Sequence, residues 1–88
     1  MKYWTYIILT VDNTLYTGIA LDVEKRFQEH LSGVSAKGAK YTNAHKPLRI
    51  VYKKEFESKS LAMKEEYRIK HLSRKEKLEL CGLSEASL

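Results

Sequence analysis

Two tyrosines, an arginine and a histidine near the N-terminus are of types that act on phosphate groups. Tyr6 and Tyr16 lie in two short apolar segments, and Arg26 and His30 follow four residues apart. A phenol has a pKa of about 10, so it acts as a base at neutral pH only where a nearby cation favours the phenolate. A guanidinium supplies such a charge, and its planar fork suits phosphate oxygens. The alternative is structural: half-buried packing tyrosines, an ion-paired arginine and a histidine on a helix surface.

The segment that carries the tyrosines predicts a β-hairpin. Residues 5–9 and 15–19 are apolar, β-branched or aromatic, and they flank Asp12-Asn13, where asparagine tolerates positive φ. Because side chains alternate along a strand, Tyr6 falls on the face opposite its two neighbours. The tyrosines of the two strands then stand side by side, and Gly18, a candidate substrate-binding residue, leaves backbone space next to them.

A first helix follows, with Asp22 as its expected N-cap and Ser32-Gly33 as its end. The apolar residues that repeat every four positions, and that we expect to be buried, are Val23, Phe27 and Leu31. Arg26 and His30 form a second stripe beside them. The structural alternative for Arg26 is an intrahelical pair with Asp22 or Glu29.

The rest of the chain predicts one strand and two helices. Residues 34–46 show no sustained period and are expected to form a loop, and a third strand runs from Pro47 to Phe56. Ser58 or Ser60 caps a second helix that ends near Leu72, and Ser73 caps a third that ends at Gly82. The expected apolar side of the second helix consists of Leu61, Ala62, Ile69 and Leu72. The order β-β-α-β-α-α predicts one α+β domain over residues 1–88, with a three-stranded, mainly antiparallel sheet flanked by helices.

Composition limits the class of protein. The 88 residues carry 16 Lys and Arg against 11 Asp and Glu, a net charge of +5. The sequence pI near 9.4 favours an anionic partner, although a solubilising surface has the same composition. A lone cysteine, Cys81, predicts a reducing cytoplasm. We expect no signal peptide, no membrane span and a monomer.

These residues resemble a known family. Trp4-Thr5-Tyr6, Tyr16-Thr17-Gly18, Arg26 and His30 are similar to the paired signature of the GIY-YIG nuclease superfamily. Residues 36–42 and 62–77 resemble its small stand-alone bacterial members, often called YhbQ-like. The chain departs from the pattern at Trp4, which replaces a glycine, and at Ile19, where excinuclease-type members carry a lysine.

The resemblance implies a role for each residue. Tyr16 is the implied base for an attacking water, and Tyr6 positions the site. Arg26 holds the scissile phosphate and stabilises charge in the transition state, while His30 hydrogen-bonds the phosphate or the leaving oxygen. Glu66 is the implied ligand of Mg²⁺ or Mn²⁺, since magnesium accepts few protein carboxylates when water and phosphate complete its shell.

The metal ligand has two neighbouring candidates. Glu65 lies nearer the apolar centre of the second helix than Glu66 does, whereas the family pattern favours Glu66. An ordinary surface pair of Glu66 with Lys70, four residues on, is the structural alternative.

The loop adds positive charge, hydroxyl groups and one aromatic ring. Lys40, Tyr41 and Thr42 suit a nucleic-acid backbone, with Tyr41 able to stack on an exposed base; a solvated loop is the alternative. The expected activity is metal-dependent hydrolysis of DNA phosphodiester bonds, in DNA repair or processing. A non-catalytic nucleic-acid-binding module that retains the fold is the alternative function.

Overall fold

Residues 1–32 and 46–88, which a computed structural model describes, fold into three strands and three α-helices in the predicted order. The elements are β1 (Tyr3–Thr10), β2 (Leu15–Ala20), α1 (Val23–Ser32), β3 (Pro47–Phe56), α2 (Lys59–Lys70), α3 (Arg74–Leu80) and a final 3-10 turn (Glu85–Ser87). None of the helices in these ranges is long and apolar enough to cross a membrane.

The sheet has the strand order β2-β1-β3, and β1 pairs antiparallel with both neighbours. The α+β prediction is therefore confirmed, and β2 lies at an edge of the sheet. Asn13 adopts a φ of 65° in the hairpin turn, as its residue type predicts. The hairpin register sets Tyr6 opposite Gly18 and Ile8 opposite Tyr16, so both tyrosines lie on one face.

Two helical layers cover the sheet. On the tyrosine face, Tyr6, Ile8 and Ala20 form a buried cluster with Val23 of α1. On the other face, the Thr5 hydroxyl donates a 2.8 Å hydrogen bond to the carbonyl of Ala62, which places α2 there. Because the edge strand β2 borders both layers, side chains of α1 and α2 can meet beside it.

The buried side of α1 differs from the one that periodicity predicts. Val23 is buried, but Leu31 is 50% exposed and His30 is only 3% exposed. The stripe that faces the sheet therefore ends at His30, because the cluster on the sheet offers the imidazole a polar partner. On α2, Ala62 and Ile69 are fully buried as predicted, whereas Leu61 is largely exposed.

Side-chain caps fix the helix boundaries. The Asp22 carboxylate accepts from the Lys25 amide at 3.0 Å, and the Ser58 hydroxyl accepts from the Leu61 amide at 3.3 Å. Ser73 begins α3 with a capping box completed by Glu76. Both serine caps confirm the sequence prediction.

Candidate active site

Tyr6 forms the buried centre of the cluster on the α1 face. Its side chain is 1% exposed, and its hydroxyl lies 3.3 Å from Nε2 of His30. A Cβ atom on Gly18 would lie 2.7 Å from the Tyr6 hydroxyl, so a larger residue at position 18 would clash with the Tyr6 ring. Burial raises the pKa of Tyr6 above its usual value and the phenol of Tyr16 adds to this, while the charge of Arg26 acts against it. Tyr6 therefore stays protonated at neutral pH and serves as a hydrogen-bonding group.

Tyr16 stands at the border of the cluster. Its ring centroid lies 6.3 Å from that of Tyr6 and 5.4 Å from that of His30. The rings of Tyr16 and His30 meet edge to face, with an angle of 72° between their planes. Unlike Tyr6, Tyr16 is only partly buried. Of the two phenols, Tyr16 is the one that a solvent molecule or a substrate can reach.

His30 is a buried member of the cluster and not a surface histidine. Burial lowers the pKa of His30, and the positive charge of Arg26 lowers it further. The imidazole is therefore neutral at pH 7. With the ring proton on Nδ1, Nε2 accepts the hydroxyl hydrogen of Tyr6. This bond makes His30 a partner of Tyr6.

Arg26 connects the cluster with the surface. Its side chain is 25% exposed, and Nε donates to the Glu29 carboxylate at 3.1 Å. The ion pair with Glu29 is thus present, as the structural alternative predicts. A guanidinium has five N–H donors, so one pair at Nε does not exhaust its capacity to bind an anion.

An open groove of about 360 Å³ runs along the edge of β2 beside Arg26. Besides Arg26, its charged lining residues are Asp22, Lys25, Glu29 and Lys59, and Ile19 of β2 also borders it. Sequence reasoning did not identify Lys25 or Lys59. The groove brings Lys59 next to Arg26 across 33 positions of sequence, and no periodic pattern relates residues that far apart. A lysine from α2 thus lies in the groove that Ile19 borders.

The two neighbouring carboxylates of α2 have different partners. Glu65 accepts from the Tyr52 hydroxyl at 2.9 Å and from Nε of Arg68 at 2.7 Å. These bonds hold the pKa of Glu65 below its usual range, with Arg68 the larger cause, while burial and the Glu65 bond raise the pKa of Tyr52 to about 12. Glu66 pairs with Lys70 at 3.4 Å, which is the pair that the structural alternative predicts.

The direction of each carboxylate follows from the helix geometry. Ala62 and Ile69 face the sheet, and Glu65 bonds a tyrosine of β3. Successive residues are about 100° apart around a helix, so Glu66 turns towards the β2 side. Lys59, seven residues before Glu66, lies on the same stripe of α2 and lines the groove. Glu66 is not part of the tyrosine cluster, but it lies in the layer that reaches the same edge strand.

The predicted nucleic-acid contacts Lys40, Tyr41 and Thr42 lie outside the described residues. Within residues 1–32 and 46–88, no three His, Cys, Asp or Glu side chains form a cluster that would hold a metal ion by themselves. Any metal bound through these residues would therefore rely on one or two carboxylates together with water and substrate oxygens.

The fold and the cluster define a small α+β domain with a tyrosine–histidine cluster beside a partly exposed arginine. Comparison with protein families gives the class a name: residues 2–79 match the GIY-YIG catalytic domain, so the chain belongs to the GIY-YIG family of nucleases.

Similar proteins support this assignment along most of the chain. A UPF0213 protein of Staphylococcus saprophyticus is 47% identical over 79 residues, which cover 90% of this chain and 93% of the relative. A UPF0213 protein of Cupriavidus pinatubonensis is 39% identical over 84 residues, covering 96% and 90%. The solution NMR structure of a UPF0213 protein from Bacillus halodurans has a similar fold, with a TM-score of 0.58 and 41% identity over 93% of this chain and 84% of that one.

Proposed function

We propose that the protein is a metal-dependent endonuclease that hydrolyses phosphodiester bonds of DNA, with a role in DNA repair or processing. The observation that carries the proposal is the cluster of Tyr6, Tyr16 and His30 together with Arg26, which interacts with Tyr6 and also lines the groove. A phenol at the border, a guanidinium that reaches the surface and a buried hydrogen-bonded pair are the parts that phosphoryl hydrolysis requires.

In the proposed reaction, water attacks the phosphorus atom and its proton passes to Tyr16, which acts in the phenolate form. A new P–O bond forms, and the P–O bond to the leaving sugar oxygen breaks; that oxygen takes a proton from solvent. Arg26 binds the non-bridging oxygens and stabilises the negative charge that develops on them. Tyr6 stays protonated, and its bond to His30 fixes its ring beside Tyr16. This bond supports an indirect role of His30 through Tyr6, and direct contact of His30 with the phosphate or the leaving oxygen stays a prediction.

Glu66 is the residue that we expect to hold Mg²⁺ or Mn²⁺. The carboxylate of Glu65 is already bonded to Tyr52 and Arg68. Among residues 1–32 and 46–88, the carboxylate of Glu66 has one ion pair, a longer one with Lys70, whose side chain is 54% exposed. A hard carboxylate oxygen with one weak partner fits a magnesium site. The bound metal would neutralise charge on the phosphate and on its bound water.

Lys59 offers a substitute for the lysine that excinuclease-type members carry after their second motif. Ile19 occupies that position here, and Lys59 lines the same groove from α2. Its ammonium group can contact a phosphate oxygen as a point charge.

A non-catalytic nucleic-acid-binding module is the second candidate. Two observations favour it: Arg26 is paired with Glu29, and Glu66 is paired with Lys70. In such a module both pairs would persist when nucleic acid binds, and the groove, lined by three cationic and two acidic side chains, would contribute only affinity.

Substitution of Arg26 by lysine separates the two candidates. Lysine keeps the charge and the possible pair with Glu29 but loses the planar fork, so Arg26→Lys should abolish most nicking of supercoiled DNA in Mg²⁺ while leaving the thermal midpoint close to that of the parent. Lys25→Arg, on the same helix and in the same groove, is the matched control and should keep its activity. DNA binding without cleavage by the parent protein would select the non-catalytic module.

A further inference from the structure

A second groove, of about 620 Å³, lies on the outer side of α2 and adjoins the first one. It is lined by Lys59, Ser60, Met63, Lys64 and Tyr67. Lys59 lines both grooves, so a single side chain connects the surface beside Arg26 with the surface beside Tyr67. A ligand bound at the first groove can therefore continue past Lys59 along the described surface of α2.

Tyr67 presents an aromatic ring that is held in place. Its side chain is 68% exposed, although exposed tyrosines are usually free to rotate. Here the ring stacks on that of His71, with centroids 4.1 Å apart and planes tilted by 34°. The imidazole in turn is tied to the helix, since its Nδ1 lies 2.8 Å from the carbonyl oxygen of Tyr67. The ring is thus preorganised, so less conformational entropy is lost when a planar ligand stacks on it.

The charge of the groove favours an anionic ligand. Its described lining residues include two lysines and no carboxylate. The carboxylates nearest in sequence, Glu65 and Glu66, are paired with Arg68 and Lys70. Lys59 and Tyr67 are eight residues apart, about 12 Å along the helix axis. That distance separates a phosphate contact from a base contact on a different nucleotide.

We propose that this outer groove binds a single-stranded segment of the nucleic acid, with Lys59 and Lys64 on its phosphates and Tyr67 stacked on an unpaired base. An unpaired strand is required because the faces of paired bases are buried in the duplex stack. That the cleaved strand continues from the scissile phosphate into this groove rests on the proposed function. That the groove binds a single strand does not rest on it.

The test compares two strands that differ only in their bases. Affinities are measured for a fluorescent oligo-dT strand and for an abasic strand of equal length, which has the same phosphates. The parent protein should bind oligo-dT about 5- to 150-fold more tightly, the range that stacking of one base supplies. Tyr67→Ala should abolish this preference, and Tyr67→Phe should retain it because the ring remains.

Leu61→Ala is the matched control. Leu61 is exposed on the same helix but does not line the groove, so this substitution should leave the preference unchanged. Equal affinities of the parent for both strands, or an undiminished preference in Tyr67→Ala, would overturn the proposal even if the protein cleaves DNA. A preference that depends on Tyr67 in a protein that never cleaves DNA would support this groove and refute the nuclease.

Discussion

Gly18→Ala tests the packing that positions the two tyrosines. The added Cβ atom would lie 2.7 Å from the Tyr6 hydroxyl, 2.9 Å from its Cζ atom and 3.3 Å from Cε2 of Tyr16. The Tyr6 ring is buried and cannot swing into solvent, so it must shift within the core. Overpacking costs about 1–3 kcal/mol. Loss of the hydrogen bond between Tyr6 and His30 adds about 1 kcal/mol.

The expected total of about 2–4 kcal/mol should lower the thermal midpoint by roughly 10–25 °C in a domain of this size. Thermal unfolding monitored by circular dichroism measures this decrease in the midpoint directly. Gly82→Ala is the control, because Gly82 has a φ of 72° and no atom within 4 Å of an added Cβ. Backbone strain alone should lower the free energy of unfolding of the Gly82→Ala protein by about 1 kcal/mol and leave the tyrosine cluster intact.

A double-mutant cycle identifies the origin of the loss. Tyr6→Phe removes the atom closest to the added methyl group, so this substitution should be less destabilising in the Gly18→Ala protein than in the parent. Additive effects of the two substitutions, or a midpoint of Gly18→Ala within about 2 °C of the parent's, would refute the close contact.

Three further predictions concern the metal ligand, the buried histidine and the net charge. Glu66→Gln should abolish Mg²⁺-dependent cleavage and retain DNA binding. Glu65→Gln should lower the free energy of unfolding by about 1–2 kcal/mol in chemical denaturation, because it weakens the bonds to Tyr52 and Arg68. An inactive Glu65→Gln protein together with an active Glu66→Gln protein would reverse the assignment. The pKa of His30 is lowered in the folded state, so the unfolded chain takes up the proton first and the free energy of unfolding should fall as pH decreases below about 6.5. In the His30→Asn protein this free energy should fall less steeply between pH 7 and 5. Equal slopes for the variant and the parent would contradict a buried neutral imidazole. If about four to six phosphates are neutralised, log affinity for duplex DNA should decrease against log salt with a slope of roughly −4 to −5; a flat response would exclude electrostatic binding.

The hairpin was predictable because its signals are local. Alternation of side chains placed Tyr6 and Tyr16 on one face, and Asn13 and Gly18 have the conformation and the space that their residue types suggest. The helix caps follow from equally local hydrogen bonds. These features depend on neighbours within a few residues, which a sequence displays directly.

The buried side of α1 was not predictable from periodicity. Leu31 is the more apolar residue, yet His30 faces the sheet because the Tyr6 hydroxyl gives its ring a hydrogen-bond partner. Such a pair, 24 residues apart, does not appear in a hydrophobic pattern. The same limit applies to Lys59 and Tyr67, whose importance comes from the grooves that they line.

The proposed choice of Glu66 over Glu65 as metal ligand combines the sequence pattern with the structure. The apolar pattern of α2 favours Glu65 as the more buried carboxylate, and its side chain is indeed 11% exposed against 23% for Glu66. Burial here reflects a structural role, since Glu65 is bonded to Tyr52. Only the partners of each carboxylate, seen in three dimensions, distinguish a structural acid from one suited to a metal.

The central claim is that Tyr16 acts as the base at the edge of β2. The most direct measurement is the nicking rate of supercoiled DNA in Mg²⁺ for the parent and for Tyr16→Phe, which removes one oxygen atom and keeps the ring. We expect the parent to nick DNA and Tyr16→Phe to be slower by about 10²-fold or more, with an unchanged thermal midpoint. A parent protein that leaves the DNA intact, or a Tyr16→Phe protein that nicks at the parent's rate, would contradict this claim.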